Sequence, residues 1–281
     1  MTGMTNKEIQ EINLDILRRI DKFCKNRNIN YFLDSGTLLG AARNGEFIEW
    51  DDDADIVMPR PDYERFVAEY EDDAEYKLYA PSRGNCFLPY ARLCEMQRTY
   101  FGQSSRWTDE NPGVGVDVMP LDGAPDLIGE YDKHAARIVK IRDKLWLLRS
   151  ELSGRRKIIF RREIFGFIKD CVHYMAMVLR RPFSRFLIKR NLQKIRHLRL
   201  KYPYNTSSHC FYIVVQSGRR RFWLKEWFSQ TVNLKLCGEP YPAPIGWDSR
   251  LTAAYGDWRT PPPESDRNGH VNVQKMYWRN K

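Results

Sequence analysis

The stretch Asp51-Asp52-Asp53-Ala54-Asp55-Ile56-Val57 implies chemistry more directly than any other in the chain. In an extended strand alternate side chains share a face, so Asp53 and Asp55 point one way and Ala54 and Ile56 the other. Two carboxylates so placed repel by about 1 kcal/mol at ~4 Å in water and about 4 kcal/mol at a protein-like dielectric. The local sequence supplies no fixed cation beside them. A hard divalent ion, Mg²⁺ or Mn²⁺, prefers carboxylate oxygen and would remove the repulsion. For an isolated pair of this kind, an acidic turn in water is the simpler alternative.

Two further signals bear on that choice. Asp117 interrupts the apolar run Val114-Gly115-Val116-Asp117-Val118-Met119, where an unpaired buried carboxylate is costly. It either faces outward on an edge strand or supplies a third ligand from a strand beside the pair. Upstream, Ser35-Gly36-Thr37 lies between an expected strand and an expected helix. Backbone N–H groups there, together with the Thr37 hydroxyl, would cradle phosphate oxygens; a plain helix cap is the alternative. Taken together the signals describe a site for phosphoryl chemistry. Arg43 and Arg92 are candidate phosphate clamps, because a guanidinium pairs bidentately with such oxygens, with surface salt bridges as the competing reading. His270 is a candidate donor contact from the tail. Asp51 and Asp52 either support the ligands from behind or are solvated, and solvation is favoured for Asp52.

The elements that position these residues follow from periodicity. Ile9, Ile12, Ile16, Ile20 and Phe23 predict an amphipathic helix over residues 5–27, opened by a Thr5–Glu8 capping box. A strand over 31–34, a short helix from Gly36 and a turn at Asn44-Gly45 lead to a strand over 53–58. Pro61 is suited to the start of the next helix, which reaches to about Glu71. Strands are expected over 76–79, 87–93 and 114–119, then a helix over 126–149. Residues 155–200 form a basic helical region broken near Pro182. The tail is expected to hold a hairpin around Gly238 and a helix ending at Gly256. This order predicts an α+β fold with a small mixed sheet flanked by helices. It divides into a catalytic core over 1–150, a basic helical insertion over 151–205, and an aromatic, Pro-rich segment over 206–281 packed on the core.

Composition sets bounds. The 281 residues, 42% hydrophobic and 29% charged, suit a globular protein with a sizeable core. There is no apolar leader and no run long enough to span a bilayer. Six scattered cysteines without metal-ligand spacing suit a reducing compartment, so the expected location is cytoplasmic. The net charge of +10 is local. Residues 153–201 hold fifteen Lys and Arg against Glu163 and Asp170, which leaves the rest of the chain slightly acidic. Such a segment either lies on an anionic membrane, at its inner face, or forms a helical subdomain with a solvated cationic face. No nucleic-acid recognition motif accompanies the charge, so nucleic acid is not an expected partner.

The blocks Phe32-Leu33-Asp34-Ser35-Gly36-Thr37-Leu38-Leu39-Gly40-Ala41-Ala42-Arg43 and Phe47-Ile48-Glu49-Trp50-Asp51-Asp52-Asp53-Ala54-Asp55-Ile56 strongly resemble the LicD family, whose relatives include fukutin. Val116-Asp117-Val118-Met119-Pro120-Leu121-Asp122-Gly123 resembles its second acidic strand. Lys225-Glu226-Trp227-Phe228 and Tyr255-Gly256-Asp257 match in outline, so the resemblance covers about 6–123 and resumes near 217. It implies a nucleotidyltransferase-like, DNA polymerase beta-like core. It also implies transfer of a phospho-alcohol group, phosphocholine for example, from a CDP-linked donor. The acceptor would be a sugar hydroxyl of a surface glycan or glycolipid such as lipopolysaccharide or teichoic acid. The positions matching the metal ligands are Asp53, Asp55 and Asp117. Glu49 and Arg92 depart from the family pattern, where Pro and Lys are usual, and the basic block has no strong family pattern. The rival enzyme class is a nucleotide-sugar glycosyltransferase with its own DxD motif. In that class a nucleotide-binding half precedes the motif, and too little chain precedes Asp53 here.

Overall fold

Local sequence accounts for the first element. Thr5 caps α1 (Asn6–Arg27), its hydroxyl accepting from the Glu8 N–H while the Glu8 carboxylate accepts from the Thr5 backbone. Ile9, Ile12, Ile16, Leu17 and Ile20 form its buried stripe. This computed structural model describes residues 2–102, 107–152, 164–212, 222–267 and 276–279. After α1 come β1 (Phe32–Leu33), α2 (Ser35–Arg43), β2 (Ala54–Pro59), α3 (Arg60–Glu69), β3 (Tyr76–Tyr79), β4 (Ala91–Glu95), β5 (Thr99–Phe101) and β6 (Gly115–Ala124). Three helices follow: α4 (Ile128–Leu152), α5 (Ile164–Arg180) and α6 (Ser184–Arg199). The chain ends with β7 (His209–Phe211), β8 (Trp223–Leu224), β9 (Thr231–Leu236), β10 (Glu239–Pro244), α7 (Trp247–Tyr255) and β11 (Met276–Trp278).

The main sheet runs β1-β2-β6-β4-β3, and β7, itself paired with β8, joins the far end of β6. β2 and β6 are parallel; the other pairings in this sheet are antiparallel. The architecture is therefore a mixed sheet with helices around it, as the element order implied. Ile56, Met58, Val116 and Val118 point into the core shared with α1 and α3. A separate apolar cluster joins Tyr131, Ile138, Leu145 and Leu148 of α4 to Ile188, Leu192 and Ile195 of α6. Thus α4, which falls within the expected 1–150 core, packs on the basic helical segment. Leu236, Tyr241 and Ala243 of the β9–β10 hairpin enter the main core, so the tail closes over the N-terminal half. Among the described residues no helix is long and apolar enough to cross a membrane.

Two strand expectations need correction. The strand expected over 87–93 begins only at Ala91, because Pro89 has no N–H for a ladder and Phe87 instead donates to the Trp107 carbonyl. The strand expected to stop at Met119 continues through Pro120 to Ala124, since β7 takes up the pairing at Asp122–Ala124.

Candidate functional site

The strand register decides where the acidic residues meet. In the parallel pair β2–β6, Asp55 stands directly opposite Asp117, and neighbouring strands lie about 4.8 Å apart. Burial pushes the Asp55 carboxyl well above the usual carboxylate range, and the charges of Asp53, Asp117, Asp51 and Asp34 add to the shift. Asp117 is pushed up to about 6 by burial, opposed by the Arg92 guanidinium and reinforced by Asp53. Asp53 therefore acts on both members of the pair, although β2 begins at Ala54 and Asp53 sits in the loop just ahead of it. All three residues keep partial exposure. The Asp117 Oδ1 atom is buried without a hydrogen bond.

The loop before β2 is tighter than expected. Asp51, Asp52 and Asp53 each offer a carboxylate oxygen within 4.8 Å of the others. Asp52 is buried, not solvated; the loop folds inward because the Gln10 amide, from α1, donates to the carbonyls of Ile48 and Asp51. Asp51 is pushed up to about 9 by burial, then by the charge of Asp53 and a hydrogen bond with it. Gly36 makes room for this side chain: a Cβ there would lie 2.0 Å from Asp51 Oδ2.

The Thr37 hydroxyl ties α2 to β2. It accepts the Asp55 N–H at 2.9 Å, and the Asp34 N–H donates to the Asp55 carbonyl at 3.1 Å. The Asp55 peptide is thus gripped on both sides by the start of α2. Thr37→Val should leave a buried N–H unpaired, at a cost of about 1–3 kcal/mol, and should lower turnover. Thr37→Ser should keep both stability and turnover, as thermal unfolding and initial-rate assays would show.

Arg92 is the cation that the local sequence around the DxD pair did not show. It crosses from β4, where it is the register partner of Asp117, and its Nε lies 3.4 Å from Asp117 Oδ1. Its Nη2 donates to the Gly115 carbonyl at 3.1 Å, and the guanidinium sits 5.6 Å over the Trp107 ring. Arg43 lies apart from this group. Its Nε and Nη2 both donate to the Trp258 carbonyl, so it ties α2 to the tail. His270 falls outside the described residues. A cleft of about 480 Å³ between α3, α6 and the 81–89 loop, with Arg60, Lys189, Arg196 and Arg199 in its walls, contains none of the three expected ligands.

Sequence reading missed a buried network behind the site. Asp34, at the mouth of α2, accepts from Arg250 Nη2 of α7 at 2.7 Å and from the Tyr212 hydroxyl. Arg250 is 1% exposed and lies 4.1 Å over the Trp223 ring. Ser35 next to it holds a left-handed φ of 51°, unusual for a residue with a Cβ. Its hydroxyl reaches Asp34 and Tyr212. The carboxylate ending the run Tyr31-Phe32-Leu33-Asp34 was a visible signal, but its partner lies more than two hundred residues away in the chain.

Comparisons with known proteins cover the same stretch of chain. Residues 28–124 match the family described as LicD/FKTN/FKRP, nucleotidyltransferase domain, a span that holds β1, α2, the acidic loop and both strands of the Asp55–Asp117 pair. Over those residues, about a third of its length, the chain is similar to the LicD family. It is similar to the lipopolysaccharide cholinephosphotransferase LicD of Haemophilus influenzae, 26% identical over 290 residues that cover 99% of each chain. The similarity therefore runs through the basic helical segment as well, where the sequence alone showed no family pattern.

Proposed function

We propose that this chain is a divalent-metal-dependent phosphotransferase built on a nucleotidyltransferase-type, DNA polymerase beta-like core. It moves a phospho-alcohol group of the phosphocholine kind from a CDP-linked donor to a sugar hydroxyl of a lipopolysaccharide-like glycan or glycolipid. The observation that carries this reading is the Asp55–Asp117 pair across β2 and β6, with Asp53 acting on both. The activity named for the Haemophilus relative supports the transferred group and the acceptor class. The six cysteines carry no disulfide, which supports a cytoplasmic location.

The donor chemistry, carboxylate oxygen, suits a hard divalent cation. Among the described residues the ligand oxygens that gather within 4.8 Å of one another are those of Asp51, Asp52 and Asp53. Asp53 is therefore the residue that links this loop to Asp55 and Asp117. The charge of Asp53 raises the proton affinity of both Asp55 and Asp117, and one buried oxygen, Asp117 Oδ1, has no hydrogen bond. Asp53, Asp55 and Asp117 would hold Mg²⁺ or Mn²⁺, and such an ion neutralises a diphosphate and favours departure of its leaving group. The remaining work falls to the chain. Asp34 and Thr37 fix the Asp55 peptide, and Arg92 opposes the upward pull of burial on Asp117. Asp117 accepts the proton of the acceptor hydroxyl as that oxygen attacks phosphorus. Gly36 leaves the space in which Asp51 supports the loop.

Incubation with CDP- and UDP-linked donors and a lipopolysaccharide-type acceptor, read by mass spectrometry, tests the reading. Release of CMP with a phosphate-bridged product is expected. Release of UDP with a plain glycosidic product would instead establish the rival glycosyltransferase chemistry.

A further inference from the structure

The helix α5 turns an apolar stripe outward. On a 3.6-residue period, Ile168, Val172, Met175 and Leu179 form one stripe, while Lys169, Asp170, His173 and Arg180 fall on the other side. In a helix packed on a soluble core, the first set would be covered. Here Ile168, Val172, Met175 and Leu179 are 54, 61, 56 and 67% exposed; on the other side Lys169 and His173 are exposed as well, and Asp170 is buried. Phe183 and Phe186 extend the apolar surface across the turn into α6 and are equally exposed. A continuous apolar surface of this kind marks a docking face, since scattered single residues would not line up on one arc.

Charge identifies what it docks against. Arg181 and Arg185 flank Phe183 and Phe186 in the chain, Lys189 and Arg190 follow on α6, and all four are exposed; one of them, Arg185, also pairs with Asp109. The only acidic residue from 167 to 201 is the buried Asp170. A second copy of the chain would bring these cations against one another. An anionic bilayer complements it, with the apolar side chains below the headgroups and the Lys and Arg level with the phosphates. Because no described helix can span a bilayer, such an element lies in the interface plane.

We infer that α5 and the first turn of α6 form a docking surface for anionic lipid, seating the whole enzyme on a membrane face. The inference stands on exposed side chains and does not depend on the transferase reading. Its test is sedimentation of the full-length protein with vesicles of phosphatidylcholine alone, or of phosphatidylcholine and phosphatidylglycerol in equal parts. Binding to the anionic vesicles should be tighter by on the order of a hundredfold and should weaken as salt rises. The double substitution Val172→Glu with Leu179→Glu should abolish it. Both positions are exposed, so thermal unfolding and turnover on a water-soluble acceptor should not change. Arg181→Glu with Lys189→Glu should remove the preference for anionic lipid while leaving the apolar arc intact. Absence of vesicle binding, or equal binding to both compositions, would overturn the inference. So would a dimer in sedimentation velocity that the Val172/Leu179 substitutions dissolve, which would assign the face to a second copy.

Discussion

Asp55→Asn should lower kcat by on the order of a thousandfold while leaving the protein folded. The substitution keeps the shape of the side chain and removes one charge from the pair that faces across β2 and β6. Stabilising charge at a transferring phosphoryl group through a bound cation contributes several kcal/mol, and each 1.36 kcal/mol is a factor of ten in rate. The same substitution should act in the opposite direction on the metal-free protein. Asp55 is pushed up by burial and by Asp53, Asp117, Asp51 and Asp34 together, so removing its charge relieves repulsion that folding has to overcome. In chelator the Asn variant should melt at or above the temperature of the unmodified protein. With Mg²⁺ or Mn²⁺ at a hundredfold excess over its Kd, the unmodified protein should gain about 2.7 kcal/mol, and the variant much less. Unchanged turnover would remove Asp55 from the reaction. A lower melting temperature in chelator would make its role structural.

How much of this could be read from the chain depends on how local each signal is. The α1 cap and the hairpin at Gly238 are set by neighbours a few residues apart, and they stand where the local sequence placed them; the strand expected from Asp53 begins at Ala54 and leaves Asp53 in the loop. The convergence of Asp55 and Asp117 was expected from an apolar run interrupted by one carboxylate, and the register places the two side by side. Arg92 was legible as a cation but not as the neighbour of Asp117, because that contact depends on β4 lying antiparallel to β6. Pro120 hid the length of β6: a proline reads as a stop, yet β6 continues beyond it and pairs with β7. The Asp34–Arg250–Tyr212 network was illegible for a deeper reason. Its three members come from the start of α2, from α7 and from the residue just after β7, and no spacing rule links them. The outward face of α5 had an apolar periodicity plain in the sequence, but periodicity alone does not say which way a stripe faces.

Asp122→Ala should be among the most destabilising single substitutions in the chain, at about 3–5 kcal/mol. Asp122 lies on β6, five residues beyond Asp117, and is 1% exposed. Its Oδ1 accepts from Arg60 Nε at 2.6 Å, where β2 turns into α3, and its Oδ2 accepts from Arg199 at the end of α6. Arg199 also donates to the carbonyls of Pro89 at 2.6 Å and Pro120 at 3.0 Å. One carboxylate therefore joins the sheet, α3, α6 and the loop before β4. Burial already holds the Arg199 guanidinium below its ordinary pKa, and Asp122 provides the charge that opposes this. Without Asp122, Arg60 still has the half-exposed Glu64, but Arg199 is left as a buried cation with carbonyl partners alone. Arg18→Ala is the matched control. Its pair with Glu239 is 49 and 38% exposed, and its loss should cost no more than about 1 kcal/mol. Urea unfolding should separate the two variants by their midpoints at similar slopes. Equal midpoints would show that α6 is held to the sheet by the apolar contacts of Ile188, Leu192 and Ile195 and not by this ion network.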